Sequence, residues 1–193
     1  MRLELETPAP PWLDGLIKIT APGGPFPSAW RRLLAAACSS PAALRAALAT
    51  YAILLGEEGL PQAQSRALEI RRSIDLQAPD RKSEEVALTL TEGESTLILT
   101  GYAATVLYLR DRLAGSSPAW CTRCLAGWRH TLLPREEVLG WFKAGAPDVA
   151  PCVLIARAEA HEVAELGRLG RVIEYDALVT TVLREPAAPR PLA

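Results

Sequence analysis

The 193-residue chain has almost no net charge, few cysteines and no long apolar run. Its 21 basic and 22 acidic side chains leave a net charge of -1, which provides no overall field that would gather nucleic acid. No stretch approaches the roughly 18 apolar residues needed to span a bilayer, so no membrane helix is predicted. The N-terminal residues alternate between apolar and acidic and lack the basic start and apolar run of a secretory signal. A cytoplasmic location, where thiols stay reduced, is therefore expected.

The sequence also lacks the patterns that usually carry catalysis. It has no Gly-x-Ser-x-Gly nucleophile motif. Its two histidines, His130 and His161, have no recognisable partner pattern. His161 begins a segment like a zinc-protease helix, but that motif needs a second histidine four residues on, where this chain has Glu165. A catalytic function is therefore less expected than a binding function.

The first half of the chain predicts short strands followed by three helices. Residues 3–5 and Leu16–Thr20 have the alternation of short strands. A helix is predicted from Ser28 to about Cys38, and a second one begins at Pro41 with Ser40 as its cap. The apolar face of this second helix is Leu44, Leu48, Tyr51, Ala52 and Leu55.

Gly56 is predicted to end that helix as a left-handed residue. A third helix is predicted from Pro61 to about Ile74. The polar, proline-bearing segment 78–85 then predicts a domain boundary.

After this boundary the apolar period changes from 3.6 to 2. Residues 86–90 and 96–100, separated by a turn around Gly93, predict a β-hairpin. A helix from Tyr102 to Ala114 follows, with Val106, Leu109 and Leu113 facing inward. The later predicted elements are a strand at 127–133, a helix from Pro134 bearing Val138 and Trp141, a buried strand at 152–156, a helix at 161–169 and a strand at 171–175.

Together these elements predict an α+β fold, an N-terminal helical part with short strands followed by a β-hairpin–helix–strand unit. Residues 1–78 would form the first part, 85–185 the second and 186–193 a loose proline-bearing tail. The two parts could also pack as one compact domain.

The segment Trp120-Cys121-Thr122-Arg123-Cys124 is the most chemically specific part of the sequence. A turn with a two-residue gap lets two thiolates face one metal ion, so a structural zinc site is one interpretation. Its predicted ligands are Cys121, Cys124, His130 and Cys152.

Two other interpretations of the same segment stay open. Trp120-Cys121-x-x-Cys124 resembles the redox motif of thioredoxin-like proteins over those residues, although the flanks lack the strand-to-helix junction that such a motif requires. Alternatively, the cysteines are small apolar residues packed in a turn, because cysteine is among the most often buried residues.

Tryptophan is abundant, with five residues, and three of them lie around the cysteine segment at 120, 128 and 141. Tryptophan is enriched at protein interfaces, stacks on the bases of single-stranded nucleic acid, and also packs in cores. The residues predicted to make an interaction surface are Trp120, Arg123, Trp128 and Arg129.

The sequence therefore predicts a non-catalytic interaction or assembly protein, an accessory subunit of a larger intracellular complex, with a protein partner or a second copy of itself. One alternative is a nucleic-acid-associated protein with a zinc knuckle at Cys121 and Cys124. The other is a thiol redox enzyme.

Overall fold

The computed structural model describes residues 27–90, 95–116, 121–125, 135–144, 152–157 and 171–177. These residues form six helices and a four-stranded sheet, which confirms the predicted α+β class. The helices are α1 (Pro27–Ser39), α2 (Pro41–Glu57), α3 (Pro61–Ser73), α4 (Arg81–Thr89), α5 (Ala103–Ser116) and α6 (Arg135–Ala144). The strands are β1 (Thr96–Leu99), β2 (Cys121–Leu125), β3 (Cys152–Ala156) and β4 (Arg171–Glu174), with a 3₁₀ turn at Tyr175–Ala177.

Several predicted elements lie outside the described residues. They are the strands at 3–5, 16–20 and 127–133, the turn around Gly93, the helix at 161–169 and the tail at 186–193. The division into 1–78 and 85–185 therefore stays a prediction. Among the described helices, none combines the length and the apolar character needed to cross a membrane.

Helices α1, α2 and α3 pack around one apolar cluster. The Ser40 hydroxyl accepts the N–H of Ala43 at 3.0 Å, and Pro41 occupies the first turn of α2, as the sequence predicts. Leu33 of α1 and Ala67 of α3 contribute buried side chains to the same cluster. The predicted inward face of α2 is confirmed, since all of its residues are buried: Leu44, Leu48, Tyr51, Ala52 and Leu55.

Gly56 is not the left-handed residue that ends α2, so that prediction is wrong. The helix continues to Glu57, and the positive φ, +70°, belongs to Gly59. A Cβ on Gly56 would lie 2.5 Å from Nε2 of Gln64. Gly56 therefore leaves room for the side-chain amide of Gln64 from α3, while Gly59 supplies the conformation that reverses the chain before Pro61.

The predicted β-hairpin is also wrong. Residues 86–89 belong to helix α4, and the Asp80 carboxylate caps this helix by accepting the N–H of Lys82 at 3.2 Å. Val86 and Leu90 are four residues apart and both buried, whereas Leu88 is 84% exposed. The apolar alternation thus fits one turn of helix as well as a strand, and the cap at Asp80 decides between them. The helix begins inside the segment predicted as a domain boundary.

The sheet is parallel throughout, with the strand order β2-β3-β1-β4. The predicted strands at 152–156 and 171–175 are confirmed within one residue, as β3 and β4. Strand β1 pairs with β3 and β4 on its two sides, rather than with residues 86–90. Parallel strands require crossover connections, and α5 lies in the connection between β1 and β2, which are separated in the sheet by β3.

Helices cover both faces of this sheet in the described part of the chain. Helix α5 packs Val106, Leu109 and Leu113 on the face that contains Ile98 and Ile155, which confirms the predicted inward side of α5. Helix α6 packs Val138 and Phe142 on the opposite face, against Leu97 and Leu154. The two central strands are consequently buried on both faces, as parallel strands usually are.

Candidate functional site

A cluster of polar side chains lies where β1 and β4 end. Thr100 and Gly101 follow β1, and Asp176 lies in the 3₁₀ turn that follows β4. The junction of α1 and α2 brings Ser39 and Ser40 to the same place. Ligands of open parallel sheets bind at the carboxyl ends of the strands, so a functional site is expected at this position.

Hydroxyl groups connect the helical part to the sheet at this cluster. Thr105, in the first turn of α5, shares hydrogen bonds of 2.7 Å with both Ser39 and Ser40. The Ser39 hydroxyl also donates to Oδ1 of Asp176 at 2.6 Å, and the Thr100 hydroxyl donates to the same oxygen at 3.0 Å. The four hydroxyl side chains are at most 6% exposed.

Asp176 is the acceptor at the centre of this network. Besides the two hydroxyls, its Oδ2 accepts the backbone N–H of Gly101 at 2.6 Å, just before α5 begins at Ala103. The start of a helix after a parallel strand is a common binding place for phosphate and other anions. Here the carboxylate of Asp176 takes that place, so the protein supplies its own anion.

Lys82 is the buried cation of the cluster and is 5% exposed. Its Nζ donates to the carbonyl oxygens of Cys38 at 2.6 Å and Ser39 at 3.3 Å, and lies 4.1 Å from the centre of the Tyr175 ring. These carbonyls end α1, where a positive charge is favourable. Burial lowers the pKa of Lys82 to about 8, although Asp176 and Asp80 act in the opposite direction.

A second polar contact supports the start of α4. The Tyr108 hydroxyl donates to Oδ2 of Asp80 at 2.9 Å, and burial together with this carboxylate raises the pKa of Tyr108. Arg112 lies 5.3 Å from the centre of the Tyr108 ring and donates to the carbonyl oxygens of Leu76 and Ala78. The segment before α4 is therefore held by α5.

The polar cluster has a structural role, because its hydrogen bonds hold neighbouring elements of the fold together. The hydroxyl groups bond one another or Asp176, and the ammonium of Lys82 bonds the end of α1. Cys38 is half-buried, and burial raises the pKa of its thiol, so it is a weak nucleophile at neutral pH. The hydrogen bonds of this network join α1, α4 and α5 to the sheet.

The cysteines of the predicted zinc site lie on two neighbouring strands. The backbone of 121–125 is the extended strand β2 rather than a turn, so the predicted turn is wrong. Cys121 is the register partner of Cys152 on β3, while Cys124 is the partner of Ile155. Since successive residues of a strand alternate between faces, positions 121 and 124 belong to opposite faces of the sheet.

The remaining predicted site residues are placed only in part. Arg123 lies on β2 at the register position of Leu154. His130, Trp120, Trp128 and Arg129 lie outside the described residues. Within the part of the chain that the structure describes, no group of three or more His, Cys, Asp or Glu side chains could hold a metal ion. The four-ligand zinc site and the tryptophan–arginine surface therefore stay predictions.

Comparison with known proteins found no matching family model, no matching curated protein and no matching solved structure.

Proposed function

We propose that this chain is a non-catalytic interaction or assembly protein, an accessory subunit that binds an extended segment of a partner protein along β4. The observation that carries the proposal is the surface beside this strand. In the described part of the chain, β4 lies at the end of the strand order and hydrogen-bonds one neighbour, β1. The other side of such an edge strand can pair with an extended segment of another protein.

Apolar side chains are exposed next to this edge. Leu88, near the end of α4, is 84% exposed, and Val172 on β4 is 37% exposed. The Arg171 side chain donates to the carbonyl oxygen of Thr89 at 2.6 Å, which joins the end of α4 to the start of β4. Val172 is the register partner of Leu97, on the face that α6 covers, whereas α4 packs Val86 and Leu90 on the face that α5 covers. Leu88 and Val172 therefore lie on the two sides of this edge. We call these two residues and the edge of β4 the β4 surface.

The chemistry of the β4 surface suits a partner segment with apolar residues on both of its faces. Backbone groups of an edge strand bind any extended chain, and exposed apolar side chains select the side chains that it carries. Glu174 is exposed on the same strand, and it would favour a basic residue at the end of that segment. The polar cluster around Asp176 holds α1 and α5 against the sheet and is not part of the β4 surface.

The size of the native complex tests the proposal. The full chain is expressed in its source cells as wild type and as the variants L88K/V172K and I53K, and each extract is separated by gel filtration. Ile53 on α2 is 60% exposed, so I53K is the matched control for adding lysine at an exposed apolar position. We expect wild type and I53K to elute in one larger complex, and L88K/V172K to elute as the free chain.

Two results would overturn the proposal. One is a complex that survives in L88K/V172K, and the other is a wild-type chain that elutes free at its native concentration. Light scattering of the purified chain distinguishes a partner protein from a second copy of this chain. If the 20.8 kDa chain forms a dimer that the L88K/V172K substitutions dissociate, a second copy occupies the β4 surface in place of a partner.

A further inference from the structure

The parallel pairing of β2 and β3 places two cysteines side by side. Cys121 is the first residue of β2, Cys152 is the first residue of β3, and the two are register partners. Register partners on parallel strands lie on the same face of the sheet, with strands about 4.8 Å apart. Disulfides join residues whose Cα atoms are roughly 4.4 to 6.8 Å apart, and the spacing of this pair falls within that range.

The two cysteines of the Cys-x-x-Cys motif, Cys121 and Cys124, are too far apart in β2 to form a disulfide with each other. Cys121 and Cys124 are three positions apart in the extended strand β2, and three residues of strand span about 10 Å. Cysteines whose Cα atoms are more than about 7 Å apart cannot be joined without backbone movement. The partner that the fold gives Cys121 is therefore one that lies 31 positions along the chain, not the one that the motif suggests.

We propose that Cys121 and Cys152 form a reversible disulfide that ties the outer strand β2 to β3. This modification site is independent of the proposed binding function. In the described part of the chain, β2 lies at the end of the strand order, so the bond would join an edge strand to the neighbour with which it pairs. The bond is reversible by thiol–disulfide exchange, in which a thiolate attacks one of its sulfurs and displaces the other.

The oxidant is a low-molecular-weight disulfide such as oxidised glutathione. One protein thiolate attacks a glutathione sulfur, forms a mixed disulfide and releases one glutathione thiolate. The second protein thiol loses its proton, attacks the protein-bound sulfur and releases the second glutathione. The net step oxidises two cysteine thiols to one disulfide and reduces one oxidised glutathione to two glutathione thiols.

Tryptic mapping of the full chain tests the proposal directly, because each cysteine falls in its own peptide. Cys38 lies in 33–45, Cys121 in 113–123, Cys124 in 124–129 and Cys152 in 144–157. The folded protein is equilibrated with oxidised glutathione, free thiols are alkylated, and the digest is analysed by mass spectrometry without reduction. We expect 113–123 linked to 144–157 to be the major disulfide, and reduced glutathione to remove it.

The control variants are C124S and C38S, which should retain that link, whereas C121S and C152S should each abolish it. A major link between 113–123 and 124–129 would overturn the proposal. So would a digest in which Cys121 and Cys152 carry only glutathione or remain alkylated. Because the decisive measurement uses the wild-type chain, it does not depend on the folding of any variant.

Discussion

Lys82 provides the sharpest physical prediction about this fold. Its ammonium is 5% exposed, and burial lowers its pKa from 10.5 to about 8. In the unfolded chain this lysine is exposed and regains its ordinary pKa. Between these two pKa values the unfolded chain binds the proton that the folded chain has lost, so the free energy of unfolding rises with pH.

The size of the rise follows from the same pKa values. With a folded pKa of about 8 and an unfolded pKa of 10.5, Lys82 should add about 2 kcal/mol to the free energy of unfolding between pH 7 and pH 9.5. The Lys82→Met variant lacks this titration and should show no such gain. The raised thiol pKa of Cys38 acts in the opposite direction above its ordinary 9.0. Both proteins should therefore carry Cys38→Ser.

Urea unfolding followed by tryptophan fluorescence, at constant ionic strength and at several pH values from 7 to 9.5, measures the difference. Equal pH dependence in the two proteins would refute the reasoning. If Lys82→Met does not fold, the ¹³Cε chemical shift of Lys82 gives its pKa in the otherwise unchanged chain. That spectrum is simple because the sequence has three lysines, Lys18, Lys82 and Lys143. A pKa near 10.5 by NMR would contradict the burial argument.

Three further predictions concern the same packing. Asp176→Asn removes the carboxylate that accepts from Ser39, Thr100 and Gly101. This variant should lose about 2 kcal/mol of unfolding free energy in urea. Its Lys82 pKa, measured by NMR, should be lower than in wild type, because Asp176 raises that pKa. An unchanged Lys82 pKa would contradict the placement of Asp176 near Lys82. Leu44→Ala, at a side chain with no exposed surface, should cost about 3 kcal/mol, and a loss below about 1 kcal/mol would mean that α2 is not packed as described. Gly59→Ala should lower the free energy of unfolding by about 1 kcal/mol because of its positive φ. Gly56→Ala should lower it less, since the added Cβ meets only the flexible end of Gln64. A larger loss from Gly56→Ala would indicate that Gly56, not Gly59, is the left-handed residue that ends α2.

The helical part of the fold could be predicted because its signals are local. Ser40 and Pro41 mark the start of α2, and the period of 3.6 residues identifies the buried face that includes Leu44 and Leu48. The hairpin prediction was wrong because a three-residue alternation is short. Val86, Leu88 and Leu90 fit a strand, but they also fit a helix that begins at Arg81 after the Asp80 cap.

The polar cluster could not be predicted from the sequence, because its members come from distant segments. In the sequence, Lys82 belongs to a polar linker and Asp176 is one charged residue near the end of a strand. The fold brings both side chains to the end of α1. The partner of Cys121 depends on strand register in the same way. Register is set by the whole sheet, and a local motif such as Cys-x-x-Cys does not contain it.

Photo-crosslinking at the β4 surface tests the central claim most directly. A photoreactive phenylalanine analogue replaces Val172 in one protein and Ile53 in another, since both positions are exposed, and each is irradiated in the source cells. The proposed function predicts one discrete adduct to an extended segment of a partner protein from position 172 and none from position 53. Absence of an adduct from position 172, or the same adducts from both positions, would contradict it.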